Sequence, residues 1–333
     1  MLEYKNIRRV HLEISTRCNA ACPECPRNFR GVDIVDTYPI CDMSLEQAQK
    51  IFSLQFLQQL DQILINGNYG DFITARDGLE IVEYFLEVNP NLKIVISTNA
   101  SGRPNIWQKL GELGVEVHFR LDGLEDTHQI YRQYTDYQLI LSNAEKFIKS
   151  GGNAVWAMIQ FEHNTHQITT AQNLSKELGF KRFELINAGR DTTVVFTRDK
   201  KFSHIIGNYQ GDTDFNNLYD QYQHYINYPN LTLKKVPIQE KKISCYSKKN
   251  NEIYISANGE VYPCCWLGFY PLGKQGNPST FQLRPLVKEN NSLEHGIEHA
   301  IAWFSEIETT WNKTVLEGKI YACNETCGIN HPS

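Results

Sequence analysis

Near the start of the chain, Arg9-Val10-His11-Leu12-Glu13-Ile14 alternates polar and apolar residues, the signature of a strand. The period then changes to that of a helix. Ser44-Leu45-Glu46-Gln47 has the form of a capping box, and Leu45, Ala48, Phe52 and Phe56 recur at helical spacing to about Leu60. Gln62 to Ile65 reads as a buried strand. Asp77 to Glu80 reads as a second capping box, with Leu79, Val82 and Phe85 on the following helix face. The alternation continues with a strand at Lys93–Ser97, a helix from Asn105 to Leu113, and a strand at Val115–Leu121. A helix with Leu139, Ala144, Phe147 and Ile148 on one face stops at Gly151-Gly152. A strand follows at Ala154–Phe161, then a helix capped by Asn164, and a last strand at Arg182–Ile186.

About six strand–helix units with apolar strands predict a parallel sheet with helices outside it. A partial β/α barrel and a doubly wound sheet both fit this pattern. Either one places the functional loops at the carboxyl ends of the strands. From residue 191 to 242 the pattern weakens, and Tyr219, Tyr222, Tyr225 and Tyr228 recur at every third residue, the mark of a packed helix side. Further on, Glu252–Ser256 and Glu260–Cys264 read as two strands joined by a two-residue turn at Asn258-Gly259. That turn pairs Ile255 with Tyr262 and Ile253 with Cys264. It sets Cys264 on the more apolar face and Cys265 on the opposite one.

The bulk numbers narrow the class. The 333 residues are 41% hydrophobic and 21% charged, with a net charge of −5. No basic field points to nucleic acid, and no apolar run approaches the roughly 18 residues of a membrane helix. Nine cysteines without a secretory signal favour a reducing, cytoplasmic setting, where cysteine serves metals more than disulfides.

Three of those cysteines, Cys18, Cys22 and Cys25, have C-x3-C-x2-C spacing in the loop after the first strand. Thiolates are soft ligands for iron–sulfur clusters or zinc. Three ligands on one loop leave a further metal position open for chemistry. A zinc knuckle or a disulfide framework is the other reading, but no second Cys/His pair follows within about 15 residues.

This loop resembles the cluster motif of the radical S-adenosylmethionine (SAM) enzymes. The resemblance implies a partial (β/α)6 TIM-like barrel. It also implies a [4Fe–4S] cluster held by Cys18, Cys22 and Cys25, with SAM on the fourth iron. The family carries an aromatic residue before the third cysteine, where this chain has Glu24. Gly67, Asn68, Gly70 and Asp71 are similar in place to the family loop that holds the SAM amino group. Ser97-Thr98-Asn99 resembles the run near the SAM ribose. Arg120-Leu121-Asp122-Gly123, with His128 and Arg132, resembles another family segment, and Arg132 is the candidate for the SAM carboxylate. Arg120 stands where that segment has serine. His163, after the fifth strand, and Cys41, in the loop beyond the cysteines, are the candidate catalytic side chains.

A second cysteine group lies near the C-terminus. Thirteen residues separate Cys245 from Gly259, four separate Gly259 from Cys264, and Cys323 and Cys327 follow as C-x3-C. This resembles the family's SPASM and twitch auxiliary-cluster domains. The shorter twitch form, with one further [4Fe–4S] cluster on Cys245, Cys264, Cys323 and Cys327, suits the cysteine number. A zinc ribbon is the alternative. The expected organisation is a core over 1–190, an unassigned connection over 191–242 and an auxiliary domain over 243–333.

The resemblance implies reductive cleavage of SAM to a 5′-deoxyadenosyl radical that takes a hydrogen atom from a substrate. A peptide or protein substrate is favoured over a small molecule. An electron donor such as flavodoxin or ferredoxin is expected, with neither nucleic acid nor membrane as partner.

Overall fold

The computed structural model describes residues 2–33, 39–187, 193–207, 214–215, 238–273 and 280–329. Its centre is one eight-stranded sheet. Six parallel strands appear in chain order: β1 (Arg9–Leu12), β2 (Gln62–Ile65), β3 (Lys93–Thr98), β4 (Glu116–Arg120), β5 (Asn153–Ile159) and β6 (Arg182–Ile186). Helices cross between them: α1 (Leu45–Ile51), α2 (Leu54–Gln59), α3 (Gly78–Val88), α4 (Trp107–Glu112), α5 (Tyr137–Lys149) and α6 (Ile168–Glu177). This is the strand–helix–strand crossover unit repeated, and it gives an α/β fold with an open, barrel-like sheet.

The two faces of the strands differ. Ile63 and Ile65 of β2, Ile94 and Ile96 of β3, Val117 and Phe119 of β4, and Trp156 and Met158 of β5 face the helices. There they join Phe52, Phe56, Phe85, Trp107 and Phe147 in one core. The alternate positions, Asn66, Ser97, Arg120, Ile159 and Ile186, line a cavity on the inner side. The inward half is polar at the ends of β2, β3 and β4 and apolar at the ends of β5 and β6.

Several local expectations are corrected. The helix predicted from Leu45 to Leu60 is two helices. Ser53 breaks it and caps α2 by accepting from Phe56 N. The Ser44–Gln47 capping box is present, but Asp77 does not cap α3 through its side chain. Its Oδ2 instead takes the N–H of Leu45, 3.0 Å away, and so ties α1 to α3. Asn164 sits inside a 3-10 turn (Glu162–Gln167) that precedes α6. Its amide holds the end of β5 through Phe161 N and Ile159 O.

The C-terminal hairpin belongs to the central sheet. Strand β9 (Glu252–Ile255) lies parallel to β1 with Arg9 opposite Glu252, and β10 (Val261–Tyr262) pairs antiparallel to β9. The register is one residue off the expectation: Ile255 faces Val261 and Tyr254 faces Tyr262. The turn has three residues, since Ser256 N bonds to Glu260 O, and Gly259 takes the left-handed position at φ 84°. Asn-Gly alone does not distinguish this turn from the two-residue one.

The weakly patterned connection contains a second hairpin, β7 (Thr193–Phe196) and β8 (Phe202–Ile206). The tyrosine run at 219–228 lies outside the described residues. Among the described residues, no helix is long and apolar enough to cross a membrane.

Candidate functional site

The cysteine loop leaves β1 and folds into a tight turn, with Cys25 N bonded to Cys22 O and Asn28 N to Cys25 O. Cys22 is buried, and Cys18 and Cys25 are half-buried. The hairpin β7–β8 packs on this loop. Val195 and Ile206 cluster with Cys22, Tyr131 and Phe161, and Arg198 Nη2 donates to Asn19 O at 2.7 Å.

All three thiols open on one cavity of about 390 Å³. Gly67, Asn68, Gly70, Asp71, Ser97, Asn99 and Arg132 line the same space, with Arg120 beside them. Residues from the loops after β1, β2, β3 and β4 therefore converge at the carboxyl ends of the strands. His163 and Cys41 do not line this cavity. The His163 ring stacks on Phe161 at 5.1 Å, and burial lowers its pKa. Cys41 is tied to the start of the cysteine loop, where its N–H donates to Thr16 Oγ1. Asp122 also stands behind the wall. It is fully buried, and its Oδ2 accepts from Arg132 Nε at 2.5 Å.

Burial dominates the thiol chemistry. It pushes Cys25 up to about 11 and Cys18 well above the usual thiol range. Asp71 and the neighbouring cysteines raise Cys18 further. Arg132 offsets part of this: its Nη1 donates to Cys22 Sγ at 3.7 Å, and its charge lowers Cys25. Asn99 Nδ2 donates to Cys18 Sγ, also at 3.7 Å. Thiols raised this way become good ligands when a cation displaces their protons.

The 67–70 loop is held from beneath by Glu13, which the sequence reading did not single out. Glu13 Oε1 accepts from Tyr69 N at 2.7 Å and Gly70 N at 2.9 Å, and Oε2 accepts from Tyr254 Oη at 2.5 Å. The glycines allow the close approach. A Cβ on Gly70 would run into the Ser15 carbonyl, and one on Gly67 would stand 2.7 Å from Glu13 Oε1. Asp71 joins this loop to β3: its Oδ2 accepts from Asn99 N at 2.8 Å and its Oδ1 from Ile73 N and Thr98 Oγ1. An ionised carboxylate has about four lone-pair sites, so Asp71 retains acceptor capacity toward the cavity it lines.

At the C-terminal end, Cys245, Cys264, Cys323 and Cys327 line a second pocket walled by Leu267, Phe304, Ile307 and Trp311. Cys323 and Cys327 lie on α7 (Tyr321–Cys327). A hydrogen bond from Cys245 lowers Cys327 to about 6 and raises Cys245. Cys265 faces elsewhere, into a space shared with His11 and Glu252. The hairpin register differs from that expected from sequence, yet Cys264, just past the end of β10, still lies with the other three cysteines. Among the described residues, no group of three or more His, Cys, Asp or Glu side chains is gathered as a site for a single metal ion.

No protein-family model matches the chain. One curated relative, the FeMo cofactor biosynthesis protein NifB of Methanocaldococcus jannaschii, is 27% identical over 118 residues, 34% of this chain and 39% of that protein. Among solved structures, Streptococcus suis SuiB bound to S-adenosylmethionine superposes with a TM-score of 0.58 at 14% identity, covering 95% of this chain and 72% of SuiB. Another SuiB crystal structure is covered over 61% of its length. The enzyme anSMEcpe with bound AdoMet gives 0.55 at 15% identity, covering 96% and 86%. The chain shares the fold of the SuiB and anSMEcpe structures that hold S-adenosylmethionine.

Proposed function

We propose that the chain is a radical SAM enzyme acting on a peptide or protein. One observation carries this reading: Cys18, Cys22 and Cys25 and the loops after β2, β3 and β4 converge on one cavity of about 390 Å³. The donor set fits the cofactors. Three thiols and, among the described residues, no imidazole line the cavity, as iron–sulfur ligation prefers. The polar strand-end loops suit an amino acid and a ribose.

With a [4Fe–4S] cluster and SAM bound, the pair would supply reductive C–S cleavage and hydrogen abstraction through a 5′-deoxyadenosyl radical. The chain's own residues bind, orient and shield. Arg132, fixed by Asp122, presents cationic charge to the SAM carboxylate. Asp71 and the 67–70 backbone receive the ammonium. Ser97 and Asn99, which line the cavity at the end of β3, would meet the ribose hydroxyls. Tyr131, Ile159 and Ile186, packed with the cysteine loop, give the cavity an apolar surface that excludes water. Cys245, Cys264, Cys323 and Cys327 would hold a second cluster, and a flavodoxin or ferredoxin would deliver electrons.

The peptide reading rests on a neighbour. SuiB has been crystallised with its precursor peptide SuiA, and that structure covers 95% of this chain at a TM-score of 0.58. Electron paramagnetic resonance of the reduced, reconstituted protein tests the cofactor reading. SAM should change the cluster signal of the native chain. A signal indifferent to SAM contradicts the reading.

A further inference from the structure

A short piece of chain joins the two thiol-bearing pockets. Cys264 lines the C-terminal pocket, and five residues later Phe269 lines the SAM-side cavity. Between them the chain makes a 3-10 turn at Leu267–Phe269. This strap is fastened to the 67–70 loop at three points. Asn68 Nδ2 donates to Cys265 O at 2.7 Å. Tyr69 Oη donates to Gly268 O at 3.2 Å. The rings of Tyr69 and Phe269 meet edge-on at 5.9 Å. Gly268 makes the approach possible, because a Cβ there would press into the Tyr254 ring and stand 2.9 Å from Asn68 Nδ2. The same loop is held from below by Glu13, which bonds to Tyr254 of β9. The 67–70 loop is therefore braced on one side by the strap and on the other by Glu13, itself held by Tyr254.

We propose that Asn68 and Tyr69 are positioning residues that make SAM binding depend on the C-terminal pocket. This rests on the reading that the four thiols hold a cluster. Iron ligation at Cys264 fixes one end of the strap, and the strap fixes the loop that receives the SAM ammonium. The path consists of packed, hydrogen-bonded contacts of the kind that carry coupling between sites. Coupling of this kind changes affinity by roughly five- to a hundredfold.

The test is a thermodynamic cycle read by SAM binding, without turnover. Equilibrium dialysis of SAM and iron content are measured on the full chain, reconstituted anaerobically. Cys323→Ala/Cys327→Ala should lose about half of the iron and bind SAM at least fivefold more weakly. In an Asn68→Ala/Tyr69→Phe background, the same cysteine loss should weaken SAM no further. Iron loss with unchanged SAM affinity overturns the coupling while leaving the cluster reading intact. An equal loss of affinity in both backgrounds also overturns it, since the effect then bypasses the strap. Unchanged iron in the cysteine variant overturns the cluster reading and the coupling together. Should the double variant fail to fold, Cys264→Ser in both backgrounds makes the same comparison at the strap's own end.

Discussion

Asp122 is fully buried, and its Oδ2 lies 2.5 Å from Arg132 Nε. Its other oxygen accepts from Ile159 N at 2.6 Å. Arg132 is thereby fixed between the end of β4 and Cys22, whose sulfur takes its Nη1–H. Arg132 is half-buried, and its desolvation by itself disfavours its charge, yet Asp122 and Cys22 hold its pKa above the ordinary value.

Arg132→Ala should therefore act on the fold as well as on SAM. It leaves Asp122 charged, buried and short of a partner, which costs about 3–5 kcal/mol. Urea unfolding should show that loss, and adding Asp122→Asn should recover part of it. A variant as stable as the native chain would mean that the pair carries no structural weight.

Glu13 makes stability depend on pH. Burial pushes its carboxyl up to about 7, against the lowering effect of the bonds from Tyr254, Tyr69 and Gly70. Between the unfolded value near 4.5 and the folded value near 7, the folded chain keeps a proton that the unfolded chain releases. This group's contribution therefore falls as pH rises through that window and stays constant above it. The full change is about 3 kcal/mol at 1.36 kcal/mol per pH unit. Glu13→Gln keeps the shape and removes the titration. Its stability should decline less than that of the native chain from pH 4.5 to 7.5. Parallel denaturation curves across that range would show that Glu13 does not titrate there.

The strand–helix alternation was legible because each strand offers an apolar face to the helices, as Ile63/Ile65 and Ile94/Ile96 do. The convergence of the strand-end loops followed from topology alone. Glu13 was not legible as the brace of the 67–70 loop. In Leu12-Glu13-Ile14 it reads as the solvent face of an alternating strand, whereas in this fold that face is the interior. The strap from Cys264 to Phe269 was hidden for another reason. Asn68 and Cys265 are 197 residues apart, and no local periodicity records such a contact. The hairpin β7–β8 over the cysteine loop was missed because its strands are short and β8 is half exposed.

Gly70→Ala tests the geometry of the SAM-side loop. The added methyl meets the Ser15 carbonyl, and backbone cannot yield as a flexible side chain does. Overpacking of this kind costs about 1–3 kcal/mol. SAM affinity should fall in proportion to the displaced loop, with the iron on Cys18, Cys22 and Cys25 retained. Native SAM affinity in the alanine variant would place the ammonium site elsewhere.

The two adjacent cysteines differ in surroundings, and iron content should separate them. Cys264 lies in the pocket with Cys245, Cys323 and Cys327, and Cys265 does not. With two four-iron clusters the chain should hold about eight irons. Cys264→Ala should lose about half of them, and Cys265→Ala should lose none. The reverse pattern would exchange their roles.

The most direct measurement is 5′-deoxyadenosine formed from SAM by the anaerobically reconstituted chain with dithionite. The native chain should produce it. Cys18→Ala, Cys22→Ala and Cys25→Ala should each abolish it, because among the described residues these are the three thiols that line the cavity. No product from a native chain that holds its iron, or undiminished product from any of the three variants, would contradict the account.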